Sequence, residues 1–126
     1  MDKKPVRSFE DLIVWQKAIQ FVKKVYILTN EGDLKRDFGL RDQIRRAAVS
    51  IPTNIAEGFE RASRKEYLMF LIIAKGSAGE ARSLLRVALE VGYVEKHSYE
   101  LLREDAITLS KFLFNQIAAI KRAPLR

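Results

Sequence analysis

Two glutamates, one histidine and one glycine-rich run are the parts of this chain whose residue types could do chemistry. Glu57 and Glu80 each sit among small residues, in Asn54-Ile-Ala-Glu-Gly58 and Ala74-Lys-Gly-Ser-Ala-Gly-Glu80. Two carboxylates divide acid and base work when a cleft shifts their pKa values. The same carboxylates serve structurally when donors surround them, and Ser50, Asn54, Ser77 and several arginines supply donors. The expectation is therefore a structural polar cluster of Ser50, Asn54, Glu57, Ser77 and Glu80. Such a cluster fixes register and partner choice at a cost in stability. No catalytic residue is expected.

His97 is the only histidine. A metal centre needs several converging His, Cys or carboxylate ligands. A histidine triad needs a nucleophile signature, and none accompanies His97. With no cysteine in the chain, disulfides, thiolate metal sites and cysteine nucleophiles are excluded. Lys75-Gly-Ser-Ala-Gly79 looks superficially like a phosphate loop, but it lies inside an unbroken helical repeat. Its glycines read as packing devices. No metal and no cofactor is expected.

The remaining chemistry is charge. The 126 residues carry a formal net charge of +7, which permits nucleic acid, an acidic partner or a membrane surface. The candidates for nucleic-acid binding are Arg41, Arg45 and Arg46 on a second helix, Arg61, Arg64 and Lys65 at a joint, and Arg82 and Arg86 on a third helix. Arg41/Arg45 and Arg82/Arg86 are i, i+4 pairs, so each pair shares a face. Such stripes track phosphates without reading sequence. The alternative is a solvated face with ion pairs such as Arg86 to Glu90.

These residues must be held by helices. Hydrophobic residues make up 48% of the chain and charged residues 31%, which excludes disorder. The length fits one domain, 1–126, with a loose arm at 1–7 and a tail at 123–126. The apolar stretches are broken by Lys, Gln or Glu, so no membrane span is expected, and the protein reads as cytoplasmic. Ser8 caps a first helix from about Phe9 to Thr29. Leu12, Trp15, Ile19, Val22 and Tyr26 form one face of it. Val14, Ala18, Phe21, Val25 and Leu28 form another. Together they span roughly 200°, wider than the ~100° stripe one core requires. Either the helix is loosely patterned, or one face enters the core and a second subunit covers the other. The second reading is preferred, with Val14, Ala18, Phe21, Val25 and Leu28 as the candidate oligomer interface.

The second helix begins between Asp33 and Leu40, with Leu40, Ile44, Ala48, Ile51, Ile55 and Phe59 in its core. The period survives Pro52, which predicts a kinked continuous helix whose Ala48 carbonyl needs another donor. Gly58–Ala62 forms a joint, and Ser63-Arg-Lys-Glu66 a capping box. The third helix carries Tyr67, Leu71, Ala74, Ala78, Ala81, Leu85 and Ala88 in strict 4-3 alternation, and stops at Gly92. The fourth runs from Lys96–Tyr99 to near Arg122 on Leu102, Ala106, Leu109, Leu113 and Ile117. Four such helices with short joints predict an all-α, antiparallel up-down-up-down four-helix bundle.

Phe9-Glu-Asp-Leu, Trp15-Gln-Lys-Ala18, the run from Gly39 through Ser50-Ile-Pro-Thr-Asn-Ile-Ala-Glu-Gly58, Ser63-Arg-Lys-Glu66 and Ala74-Lys-Gly-Ser77 with Glu80 carry a resemblance over nearly the whole chain. In this order they resemble the four-helix-bundle family encoded in intervening sequences of bacterial 23S ribosomal RNA genes. The resemblance implies the same bundle and a ring-shaped homo-oligomer, a pentamer. The accessory protein of diversity-generating retroelements resembles this family too; it forms such a ring, binds nucleic acid and joins a reverse transcriptase. No motif here marks that subgroup, so its role is an analogy. The family offers no catalytic residues to carry over. The expected function is a non-enzymatic oligomer binding RNA or DNA through basic patches. The alternative is a scaffold that docks an acidic protein partner.

Overall fold

The computed structural model describes residues 5–123. A 3-10 turn at Phe9–Asp11 leads into α1 (Ile13–Thr29), and a second at Gly32–Lys35 leads into α2 (Phe38–Glu60); α3 (Arg64–Glu90) and α4 (Lys96–Arg122) follow. There is no strand among the described residues. Pro5–Arg7 have no regular structure, while the rest of the expected arm and the tail beyond Ala123 lie outside the described residues.

Local chemistry sets the boundaries. The Asp11 carboxylate accepts from the backbone N–H groups of Arg7 (2.9 Å) and Ser8 (3.2 Å). This closes a tight turn, Leu12 stays extended, and α1 starts at Ile13 rather than Phe9. Asp37 caps α2 by accepting from the Leu40 N–H at 3.1 Å. The helix is continuous through Pro52, as expected, and runs on through Gly58 to Glu60. The donors just beyond the proline do not serve Ala48. Thr53 donates to the Val49 carbonyl and Asn54 to that of Ser50, both at 2.8 Å. Ser63 caps α3 by accepting from the Glu66 N–H at 3.3 Å. The reciprocal half of that expected capping box, Glu66 reaching back to the Ser63 N–H, does not form; the Glu66 carboxylate lies 3.9 Å from Arg61. Gly92, at φ 82°, ends α3 with the Tyr93 N–H on the Ala88 carbonyl and its own N–H on that of Leu89. Only a residue tolerant of positive φ closes a helix this way.

The 4-3 repeat of α3 is buried from Leu71 to Ala88, and the expected seam of α4 is buried from Leu102 to Ile117. Ile44, Ala48, Ile51 and Ile55 of α2 join them. Each helix packs on the next, and α1 closes the set against α4. Ser50 of α2 bonds Ser77 of α3, and further along α2 Gly58 abuts Phe70 and Tyr67. Contacts thus descend α3 as they climb α2. Arg64 donates to the Lys121 carbonyl and Gln116 to the Tyr67 hydroxyl, which sets the start of α3 beside the end of α4. No helix among the described residues is long and apolar enough to cross a membrane.

The interface assigned to α1 is corrected. Val14, Ala18, Phe21 and Val25 are buried within this single chain, Phe21 at 2% exposure and Val25 at 0%, and Leu28 packs half-buried on the same core. They are the core face of α1, so they supply no ground for a second subunit. The bulkier face is the one left half-covered, at Trp15, Ile19 and Val22.

Candidate nucleic-acid interface

The eight candidate cations do not form one patch. They fall in three places, and most are already engaged. Arg41 pairs with Asp42 (3.0 Å), donates to the Lys35 carbonyl (3.2 Å) and lies over Phe38. Arg45 donates to the buried Thr29 hydroxyl at 2.8 Å and stacks over Tyr26, pinning α2 to the last turn of α1. A cation there also meets the negative end of the α1 dipole. At the joint, Arg61 pairs with Glu57 at 2.9 Å and overlies Phe70. The Glu57 hydrogen bond, and behind it the Glu66 charge, holds its guanidinium above the ordinary value despite partial desolvation. One terminal nitrogen of Arg64 donates to the Lys121 carbonyl at 3.0 Å, capping the end of α4. Its other, Nη1, is buried without a partner among the described residues. Arg86 pairs with Glu90 at 3.2 Å and lies over Tyr99 of α4. The hydrogen bond to Tyr99 and the Glu90 charge raise its pKa.

Arg46, Lys65 and Arg82 differ from the rest. All three are exposed, and none has an ion pair or hydrogen bond among the described residues. Arg46 borders a hollow between α1 and α2 with Tyr26 and Thr53. Arg82 and Lys75 border a hollow of about 390 Å³ between α3 and α4, floored by Gly76, Ala78, Gly79 and Ala106. A Cβ added at Gly76 or Gly79 would meet nothing within 4 Å. These glycines are therefore not packing devices within the subunit, contrary to expectation.

The polar cluster shrinks to three residues. The Ser50 and Ser77 hydroxyls lie 2.9 Å apart, and the Asn54 amide donates to the Ser50 hydroxyl at 2.8 Å. All three are half-buried. Glu57 and Glu80 are exposed and leave the cluster. Glu57 lies seven residues beyond Ser50 and Glu80 three beyond Ser77 along helices whose contacts run in opposite senses, which carries the carboxylates about 15 Å apart along the bundle. They do not make an acid–base pair. His97 is exposed in the first turn of α4, and no group of His, Cys, Asp and Glu among the described residues could hold a metal ion.

Sequence reasoning missed a groove. Phe9, Trp15, Ile19 and Val22 form one wall and Val49, Pro52 and Ala56 the other of an open groove of about 720 Å³, with Glu57, Glu60 and Arg61 at one end. Phe9 and Trp15 meet edge to face at 5.3 Å. The groove's signal in the sequence is the second apolar face of α1, whose Trp15, Ile19 and Val22 line it.

The sequence model of the 23S rRNA-intervening sequence protein family matches residues 10–115. A crystal structure of a protein of unknown function from the S23 ribosomal protein family of Bacteroides thetaiotaomicron is similar, with 26% identity and a TM-score of 0.78. The likeness covers 84% of this chain and 96% of that one. No curated protein matches the chain.

Proposed function

The chain belongs to the 23S rRNA-intervening sequence protein family, and from that premise we propose that it is a non-enzymatic, cytoplasmic protein that binds RNA, or other nucleic acid, through basic surface patches. The helices run antiparallel in up-down-up-down order, and copies assemble into a ring. The observation that carries the reading is the state of Arg46, Lys65 and Arg82, which are exposed and without an ion pair or hydrogen bond among the described residues, on a chain of net charge +7. Free surface cations contact phosphate without reading bases. Repetition of weak patches around a ring multiplies their effect. The retroelement accessory protein remains an analogy for how such a ring works.

A filter-binding titration of a structured RNA against salt tests this. Affinity falls steeply with salt, and substituting Arg46, Lys65 and Arg82 together by Gln weakens binding and flattens the slope. Arg61→Gln, which removes an engaged cation, has the smaller effect. Absence of wild-type binding at ~50 mM salt, where counterion release favours it most, overturns the reading. The second reading, a scaffold for an acidic protein, uses the same free cations. It predicts a protein that ignores RNA but recovers one acidic polypeptide in a pull-down, and loses it in the triple variant.

A further inference from the structure

The α1–α2 groove has a counterpart on the same molecule. On the opposite side of the bundle, between α3 and α4, stands an apolar ridge. Phe114 is 60% exposed, Ile72 52% and Met69 49%. The Gln116–Tyr67 hydrogen bond sets Phe114, two residues back along α4, level with Met69, two residues on along α3. Phe114 shares a face of α4 with Ser110, one turn before it, and Ser110 borders the same hollow as Ile72. The three side chains therefore form one patch.

Groove and ridge stand at the same height. The groove joins α1, from Trp15 to Val22, to the part of α2 from Val49 to Glu60 and to Arg61 just beyond it. Gly58 in that part abuts Tyr67 and Phe70, which stand two residues before and one after Met69 and within a turn or so of Ile72. Their charges are also opposed. Glu60 at the groove end is exposed and has no ion pair among the described residues. Lys75, three residues past Ile72, and Lys111, three before Phe114, have no ion pair among the described residues.

We propose that the groove of one copy receives the Met69–Ile72–Phe114 ridge of the next, so that the chain self-associates head to tail with its helices side by side. The inference rests on the oligomeric reading above and gives it an interface. Different patches on the two sides of one subunit make a heterologous contact, which closes into a ring when the rotation per step allows and otherwise extends. Equal height is what an axis parallel to the bundle requires. An apolar filling for the groove removes from water the aromatic surface that α1 leaves open.

Val49→Glu blocks the groove and Phe114→Glu blocks the ridge. Both positions are exposed on helices, Val49 at 38%, so each variant keeps its helical circular dichroism and melting behaviour. Native mass spectrometry then reads assembly. Wild type gives a discrete multiple of the 14.5 kDa chain, and each variant alone is monomeric. A 1:1 mixture of the two gives a dimer and stops there, because one intact groove still meets one intact ridge. An open-ended series of wild-type masses keeps the pairing and removes the ring. A monomeric wild type overturns both the pairing and the oligomeric reading. A discrete wild-type oligomer that survives Phe114→Glu or Val49→Glu, or a mixture that stays monomeric, overturns the pairing alone.

Discussion

The Ser50 and Ser77 hydroxyls share a hydrogen bond of 2.9 Å between α2 and α3, and Asn54 donates to Ser50 from one turn further along α2. Because Ser50 accepts from Asn54, its own proton is available to Ser77. Two helices whose buried faces are otherwise apolar thus acquire a directional contact, and directional contacts distinguish one register from the next.

A double-mutant cycle on Ser50→Ala and Ser77→Ala measures that contact. The expected coupling is about 1 kcal/mol of unfolding free energy, the usual net worth of a side-chain hydrogen bond. Additive losses within experimental error would show that the two hydroxyls do not act as a pair.

The glycines separate into two kinds. A Cβ at Gly58 would stand 2.7 Å from the Phe70 Cβ and 3.1 Å from the Tyr67 ring. Gly58→Ala therefore forces α2 from α3, at a cost of about 1–3 kcal/mol. Gly76→Ala and Gly79→Ala meet open space and gain about 0.5–1 kcal/mol each from helix propensity. Urea melts of the three variants check the opposite signs.

Tyr93 donates to the Asp37 carboxylate at 3.0 Å, tying the α3–α4 connection to the cap of α2. The Asp37 hydrogen bond and charge raise the Tyr93 pKa. A raised folded-state pKa means the contribution is fully present below the ordinary tyrosine value, about 10, and is lost as pH climbs through the folded value. Tyr93→Phe should lower the melting temperature at pH 8, and the gap between variant and wild type should close in alkali. A gap independent of pH up to 11.5 would contradict the linkage.

The helices were legible because periodicity is a property of one segment at a time. The alternation from Leu71 to Ala88 is buried throughout. The choice between the two faces of α1 was not legible in the same way. Both faces are apolar, and which turns inward is set by how α2 and α4 pack on α1, a relation between segments that the periodicity of one helix does not contain. Charge was the least legible feature. Arg45 and Arg46 are adjacent in sequence, yet one is spent on Thr29 and Tyr26 while the other stands free. No count of cations distinguishes them. Glu57 and Glu80 looked alike for the same reason, since small neighbours say nothing about which way a carboxylate points.

Trp15, half-buried against Phe9 in the wall of the groove, is the only tryptophan in the chain. The protein therefore carries a built-in optical reporter in its α1–α2 groove. Indole emission shifts to shorter wavelength as water leaves its surroundings, so dilution of the unlabelled protein would show whether that recess empties.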